Sequence, residues 1–269
     1  MHILITNDDG VAAPGLLALV QGLQSLGKVS ILAPERKWSG GGHVKTIDRP
    51  LRVRNVFLSD GTPALASDGA PSDCVALALL GLFPDKIDLV VSGINPVANL
   101  GHDVTYSGTV TAAMESVIWG IPGIAVSVDS VDSSQSLMDF SQAAMTAREI
   151  VEWVSIEKLP AGILLNVNVP PGPIQGMRIT RQGLRVYRDR LDRRTDPRGN
   201  PYYWIGGDAP TGFPEDGTDV GALAEGCVSV TPLQLDLTSY PAMQSLGKWV
   251  NHDPFLTRSS TEHRKNGRS

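Results

Sequence analysis

The sequence predicts a doubly wound α/β fold: a mostly parallel sheet covered by helices on both faces, with an antiparallel β-hairpin arm appended. Two observations carry this prediction. Short, near-continuous Val/Ile/Leu runs alternate with helical stretches through the first two-thirds of the chain, the pattern of strands buried on both faces. After about Pro170 the texture changes to alternating apolar and charged residues punctuated by turn residues, the pattern of hairpins.

The elements follow in order. HILIT (2–6) is a strand, and Pro14–Leu26 has helical spacing with Pro14 in the first turn. VSILAP (29–34) is a second strand, and RPLRVRNVFL (49–58) alternates as a strand pair or an arm. PSDCVALALLGL (71–82) is helical, with Ser72 or Asp73 near its N-cap. IDLVVSGIN (87–95) is an apolar strand, SGTVTAAMESVIWG (107–120) a helix ended by Gly120, and IPGIAVSV (121–128) a strand. Ser136–Val154 is the longest helix, with Leu137, Phe140, Ala144, Ala147, Val151 and Val154 down one face, and GILLNVNVP (162–170) is a further strand. MRITRQGLRVYRDRLDRR (177–194) and PYYWIGGDAP (201–210) form the arm, and GCVSVTPLQLDL (226–237) returns to the body as a last strand. The expected organisation is one domain over residues 1–256, with the arm inserted at about 176–232 and a disordered tail at 257–269.

Composition narrows the function. A formal net charge of −5 over 269 residues argues against general nucleic-acid binding. No apolar run approaches the ~20 residues of a membrane span, and no signal peptide is evident. The two cysteines, Cys74 and Cys227, are far apart with no CxxC pattern. They read as core residues of a cytoplasmic protein.

In an open parallel sheet, ligands bind outside the carboxyl ends of the strands. The first strand delivers Asp8 and Asp9 there, the loop after the second delivers Ser39 with Gly40 to Gly42, and IDLVVSGIN delivers Asn95. Two adjacent carboxylates repel each other and favour a cation. With a hydroxyl and an amide oxygen beside them, the ligand set is hard oxygen, suited to Mg²⁺ or Mn²⁺, one per subunit. The helix starting at SGTV supplies an anion cradle from Ser107, Gly108 and Thr109, since free amides and the helix dipole favour a phosphate there. Ser39, Gly40 and Asn95 border the same cradle. Alone, each piece reads as an ordinary turn, cap or loop; together they fall on one edge of one sheet. His43 and His102 lie near these loops, where either could assist a leaving group, but read first as surface residues; the basic run Arg178 to Arg194 reads as a solvated strand face or an oligomer contact before nucleic-acid binding.

The blocks ILITNDDG, APERKWSGGG, RPLRV, GAPSDCV, SGINPVANLGHDVTYSGTVTAAMES and GCVSVTPLQLDL, in this order, resemble the SurE family of survival nucleotidases. The resemblance spans nearly the whole chain apart from the tail. It implies a Rossmann-like core and a metal-dependent phosphatase acting on nucleoside 5′- and 3′-monophosphates, with activity on short polyphosphate. It also implies homodimers or homotetramers built by segment exchange. Asp8, Asp9, Ser39 and Asn95 match the family's metal ligands, and Ser107, Gly108 and Thr109 its phosphate site. The loop departs from the usual pattern, reading KWSGGG, and His102 stands beside Asp103 where two acids are usual. Two other classes compete. A non-catalytic nucleotide-binding protein would use the same cradle. A phospho-accepting receiver domain would need an aspartate where Ser92 and Gly93 stand.

Overall fold

The computed structural model describes residues 1–130 and 138–250. By packing, the chain divides into a body, Met1–Leu235, and a separate unit from Asp236 onward. The expected single domain to residue 256 is therefore shorter as a packed unit, and the tail at 257–269 lies outside the described residues. In the second unit, Tyr240–Val250 is a helix.

The body is built on one nine-stranded sheet. Its strands are β1 (His2–Thr6), β2 (Lys28–Pro34), β3 (Val53–Phe57), β4 (Pro63–Ser67), β5 (Leu89–Asn95), β6 (Gly123–Val128), β7 (Ile163–Val169), β8 (Gly176–Ile179) and β11 (Cys227–Gln234). They lie in the order β3-β4-β2-β1-β5-β6-β7-β11-β8. The six strands from β4 to β7 in that order run parallel. β3 is antiparallel to β4, and β11 is antiparallel to β7.

From β1 the chain moves outward through β2 to β4 and β3, then returns to place β5 on the other flank of β1. Strand order therefore reverses between β1 and β5, which opens a crevice at their carboxyl ends.

Alternation along β1 divides the core in two. Ile3 and Ile5 pack toward α1 (Pro14–Leu23) and α4 (Ser141–Glu157) with Leu16, Leu19, Ala147 and Val151. Leu4 points the other way, toward α2 (Pro71–Leu77), with Cys74 and Val75. On that face Ala112 of α3 (Gly108–Ile118) joins the same cluster. Both cysteines are buried free thiols, as the sequence predicts.

The alternating run at 49–58 contributes β3, one arm of a pair whose other strand, PALAS, carries too little apolar signal to be read alone. Ser72 and Asp73 lie near the N-cap of α2, as expected. Ala70 is the N-cap, and Asp73 sits at N3, its Oδ2 accepting the Ala70 N–H at 2.9 Å. In the longest helix the expected face is buried from Phe140 to Val151; Leu137 lies outside the described residues. The hairpin is narrower than the expected 176–232. It consists of β9 (Arg185–Thr195) and β10 (Pro201–Gly212), while β8 and β11 on its flanks pair with each other in the main sheet. A short helix, α5 (Asp219–Ala224), leads back into β11.

The first turn of α1 lies directly on the end of β5. A Cβ added at Gly15 would sit 2.1 Å from the Ile94 carbonyl oxygen, inside backbone that cannot move alone. Gly15→Ala is expected to lower stability by about 2–3 kcal/mol. Gly206, open on the arm, is the control, and Gly206→Ala is expected to be near neutral. Urea denaturation of both variants checks this.

Candidate active site

The acid pair is placed by the turn that follows β1. Asn7, buried, closes it with its own side chain: Nδ2 donates to the Gly10 carbonyl at 3.0 Å, and Oδ1 accepts the Gly10 N–H at 3.2 Å. Gly10 takes φ +101, where a side chain would be strained. Nothing local in the sequence marks this use of Asn7, which depends on the shape of the turn.

Asp8 and Asp9 then have different neighbours. Asp8 is buried against the start of α3. Thr109 Oγ1 donates to its Oδ1 at 2.5 Å, and a Cβ at Gly108 would lie 2.6 Å from the Asp8 Cβ. Only glycine lets the helix start approach this closely. Asp9 is also covered, its side chain 3% exposed, and Lys37 Nζ lies 3.1 Å from its Oδ1. Lys37 was missed in the sequence. Its signal was its position in the loop after β2, next to β1.

Asn95 ends β5, on the other side of the crevice. Thr6 is in register with Ser92, so the residues just past both strands lie side by side. Its Nδ2 donates to the Val97 carbonyl at 2.5 Å, which leaves Oδ1 as the acceptor of the amide. The loop beyond it is fixed by a buried amide cluster: Asn99 N–H donates to Asn168 Oδ1 at 2.8 Å, Asn99 Nδ2 to Ser127 Oγ at 2.8 Å, and Asn166 Nδ2 to the Asn99 carbonyl at 2.8 Å.

The glycine loop is tied in at several points. The Trp38 N–H donates to the Asp8 carbonyl at 2.7 Å, which sets Ser39 one residue from the acid turn. The Gly42 N–H donates to the Tyr106 carbonyl at 3.0 Å, and Thr111 Oγ1 donates to the Gly42 carbonyl at 3.1 Å. Gly40, at φ +73, has open space around it, so glycine is needed there for conformation and not for close approach.

His43 is exposed, as expected, and is tied to α3 through Glu115. Its Nε2 lies 2.8 Å from Glu115 Oε2, while Trp119 Nε1 donates to Glu115 Oε1 at 2.9 Å and Lys45 Nζ lies 3.5 Å from the same oxygen. Glu115, on α3, thereby holds the far end of the glycine loop. Those hydrogen bonds, His43 first, keep its carboxyl below the usual range. His102 is exposed, as expected.

Three of the residues assigned to the anion cradle behave differently from one another. Ser107 is the N-cap of α3, its Oγ accepting the Val110 N–H at 3.2 Å. The Thr109 hydroxyl is committed to Asp8. Gly108 and Thr109 supply the first helical N–H groups, which have no carbonyl to bond within the helix.

Two covered carboxylates therefore stand at the turn after β1, one of them, Asp8, against the N-terminus of α3, and Asn95 ends the neighbouring strand. Asp8, Asp9, the Asn95 Oδ1 and the Ser39 hydroxyl are all hard-oxygen donors, and Lys37 stands beside Asp9. This chemistry fits a divalent cation.

Fold and site together define an α/β protein with a carboxylate pair set against a helix N-terminus at a sheet switch point. The family model described as Survival protein SurE matches residues 3–189. A relative named 5′-nucleotidase SurE from Herpetosiphon aurantiacus is 56% identical over 256 residues, covering 93% of this chain and 100% of its own length. Another with that name, from Chloroflexus aggregans, is 50% identical over 93% of this chain and 99% of its own. The crystal structure of the SurE protein from Aquifex aeolicus superposes with a TM-score of 0.77 at 42% identity, covering 93% of this chain and 100% of that one. The chain belongs to the SurE family.

Burial pushes the Asp8 carboxyl up to about 6 from an ordinary 3.8; the Thr109 hydrogen bond opposes this, the charge of Asp9 adds to it and Lys37 opposes it. Between those values the folded protein holds a proton that the unfolded chain has released. Stability of the metal-free protein therefore falls as pH rises across that window, by about 3 kcal/mol through this one group. Asp8→Asn removes that fall. Without metal, the variant is expected to be more stable than wild type at pH 7, with the gap closing toward pH 4, as read from urea midpoints at both values.

Proposed function

We propose that the chain is a 5′-nucleotidase, a phosphoric monoester hydrolase that releases phosphate from nucleoside 5′-monophosphates. The observation that carries the reading is the contact of Asp8 with the first turn of α3: Thr109 Oγ1 donates to Asp8 Oδ1 at 2.5 Å. A carboxylate buried against amides that favour an anion is understandable if a cation and a phosphate meet there.

Asp8, Asp9, Ser39 and Asn95 would hold one divalent ion per subunit, Mg²⁺ or Mn²⁺. Such an ion neutralises phosphoryl charge and acidifies a bound water. The chain's own groups do the rest. The Gly108 and Thr109 amides and the Ser39–Gly40 segment bind the phosphate oxygens. The Thr109 hydroxyl fixes the orientation of Asp8. One carboxylate of the pair takes the proton of the attacking water, whose oxygen bonds to phosphorus as the ester P–O bond breaks. The nucleoside oxygen leaves with the proton that the carboxylate took up, so the carboxylate is restored and inorganic phosphate remains.

We extend the reading to nucleoside 3′-monophosphates and, as a side activity, to short polyphosphate. We assign the protein to the cytoplasm, in keeping with two buried free thiols. Among the described residues, no helix is long and apolar enough to cross a membrane. We also propose a homodimer or homotetramer. Leu191 and Ile205, a directly paired couple on the arm, are 69% and 81% exposed, as a surface awaiting a partner would be.

Phosphate release from a panel of nucleoside monophosphates should require Mn²⁺ or Mg²⁺ and stop with EDTA. In the Asp8→Asn protein it should fall on the order of 10²-fold or more. Retained binding of nucleotide with no release by the wild type under any metal would instead indicate a binding protein.

A further inference from the structure

The anion cradle is held from outside by the root of the hairpin arm. Residues Gly101–Thr105 form a 3-10 turn that leads into Ser107. Within it Asp103 has two functions. Its main-chain carbonyl accepts the N–H groups of Tyr106 and Ser107, both at 3.0 Å, so it sets the path into α3. Its side chain is gripped by the first residues of β9: Arg185 Nε donates to Oδ2 at 2.7 Å, and Tyr187 OH donates to Oδ1 at 2.6 Å. The Asp103 and Arg185 side chains are only 17% and 12% exposed, so this is not a solvated surface pair.

Further bonds hold the same two segments together. Asp219, fully buried on α5, accepts the Gly101 N–H at 2.8 Å with one oxygen and the Gly183 N–H at 2.7 Å with the other. Gln182 Nε2 donates to the Gly101 carbonyl at 2.7 Å. A Cβ at Gly101 would lie 2.4 Å from the Gly183 carbonyl oxygen. The strand that launches the arm and the turn that launches α3 are thus joined at every opportunity. Sequence reading placed Arg185 on a solvated face because alternation in β9 hides the one end that folds back onto the body.

We propose that Arg185 and Tyr187 are positioning residues for the phosphate site, acting through Asp103 on the Ser107–Thr109 start of α3. They touch no reacting atom. They fix the angle at which the Gly108 and Thr109 amides meet the anion, and they make the arm a part of the active site's framework. This inference rests on the assignment of that helix start as a phosphate cradle.

The test is binding of inorganic phosphate by titration calorimetry with Mn²⁺ present, with KM and kcat for a nucleoside monophosphate beside it. Tyr187→Phe removes one donor and keeps the ring. Arg185→Lys keeps the charge and loses the guanidinium geometry. Each is expected to weaken phosphate binding about 5- to 20-fold, with the thermal midpoint nearly unchanged. In an Asp103→Ala background, Tyr187→Phe should add almost nothing, because the acceptor of its bond is already gone. Unchanged phosphate affinity in both folded single variants overturns the proposal, and so do effects that simply add to those of Asp103→Ala. Asp8→Asn keeps the two failures apart. If that variant turns over nucleotide at the wild-type rate, the assignment of the site itself is overturned, and the positioning role with it.

Discussion

The burial of Asp8 against the N-terminus of α3 is the constraint on which the rest of the site depends. A carboxylate taken out of water is costly unless something offsets it. Here the offsets are a short hydrogen bond from Thr109 and the partial positive charge of a helix start. Gly108 is required because any side chain would occupy the space of Asp8 itself. Asn7 and Gly10 are required to turn the chain so that Asp8 reaches that helix.

Around this contact the molecule holds its loops from three directions. Glu115 gathers His43, Lys45 and Trp119, and with them the end of the glycine loop. The buried amides of Asn99, Asn166 and Asn168 fix the segment beyond Asn95. Asp103, Asp219 and the root of the arm fix the turn into α3. Each holds a loop by hydrogen bonds from a rigid element, which is how a site on loops keeps its geometry. The switch in strand order between β1 and β5 supplies the crevice, and these ties determine its shape.

Much of this was legible in the sequence, for physical reasons. The central strands announce themselves because a parallel sheet buried on both faces must be apolar throughout, as in LVVSGIN and GIAVSV. Asp8, Asp9, Ser39, Asn95 and the SGT run could be grouped because strand ends in such sheets share one edge. What stayed hidden was set by tertiary contact alone. Nothing local in PALAS marks an edge strand. Nothing local shows that the Thr109 hydroxyl turns to Asp8, that Lys37 reaches Asp9, or that Arg185 leaves the solvated row to meet Asp103. Nothing local shows that the exposed His43 meets Glu115, 72 positions away.

If Asp8 and the start of α3 form one site, a cation and a phosphate bound there stabilise each other. Titration of inorganic phosphate with and without saturating Mn²⁺, on wild type and Asp8→Asn, tests it most directly. Binding coupled through a shared site must be reciprocal. Mn²⁺ is expected to tighten phosphate binding by at least about tenfold in wild type, and Asp8→Asn to abolish the gain. Phosphate bound equally well with and without metal by the wild-type protein would contradict it.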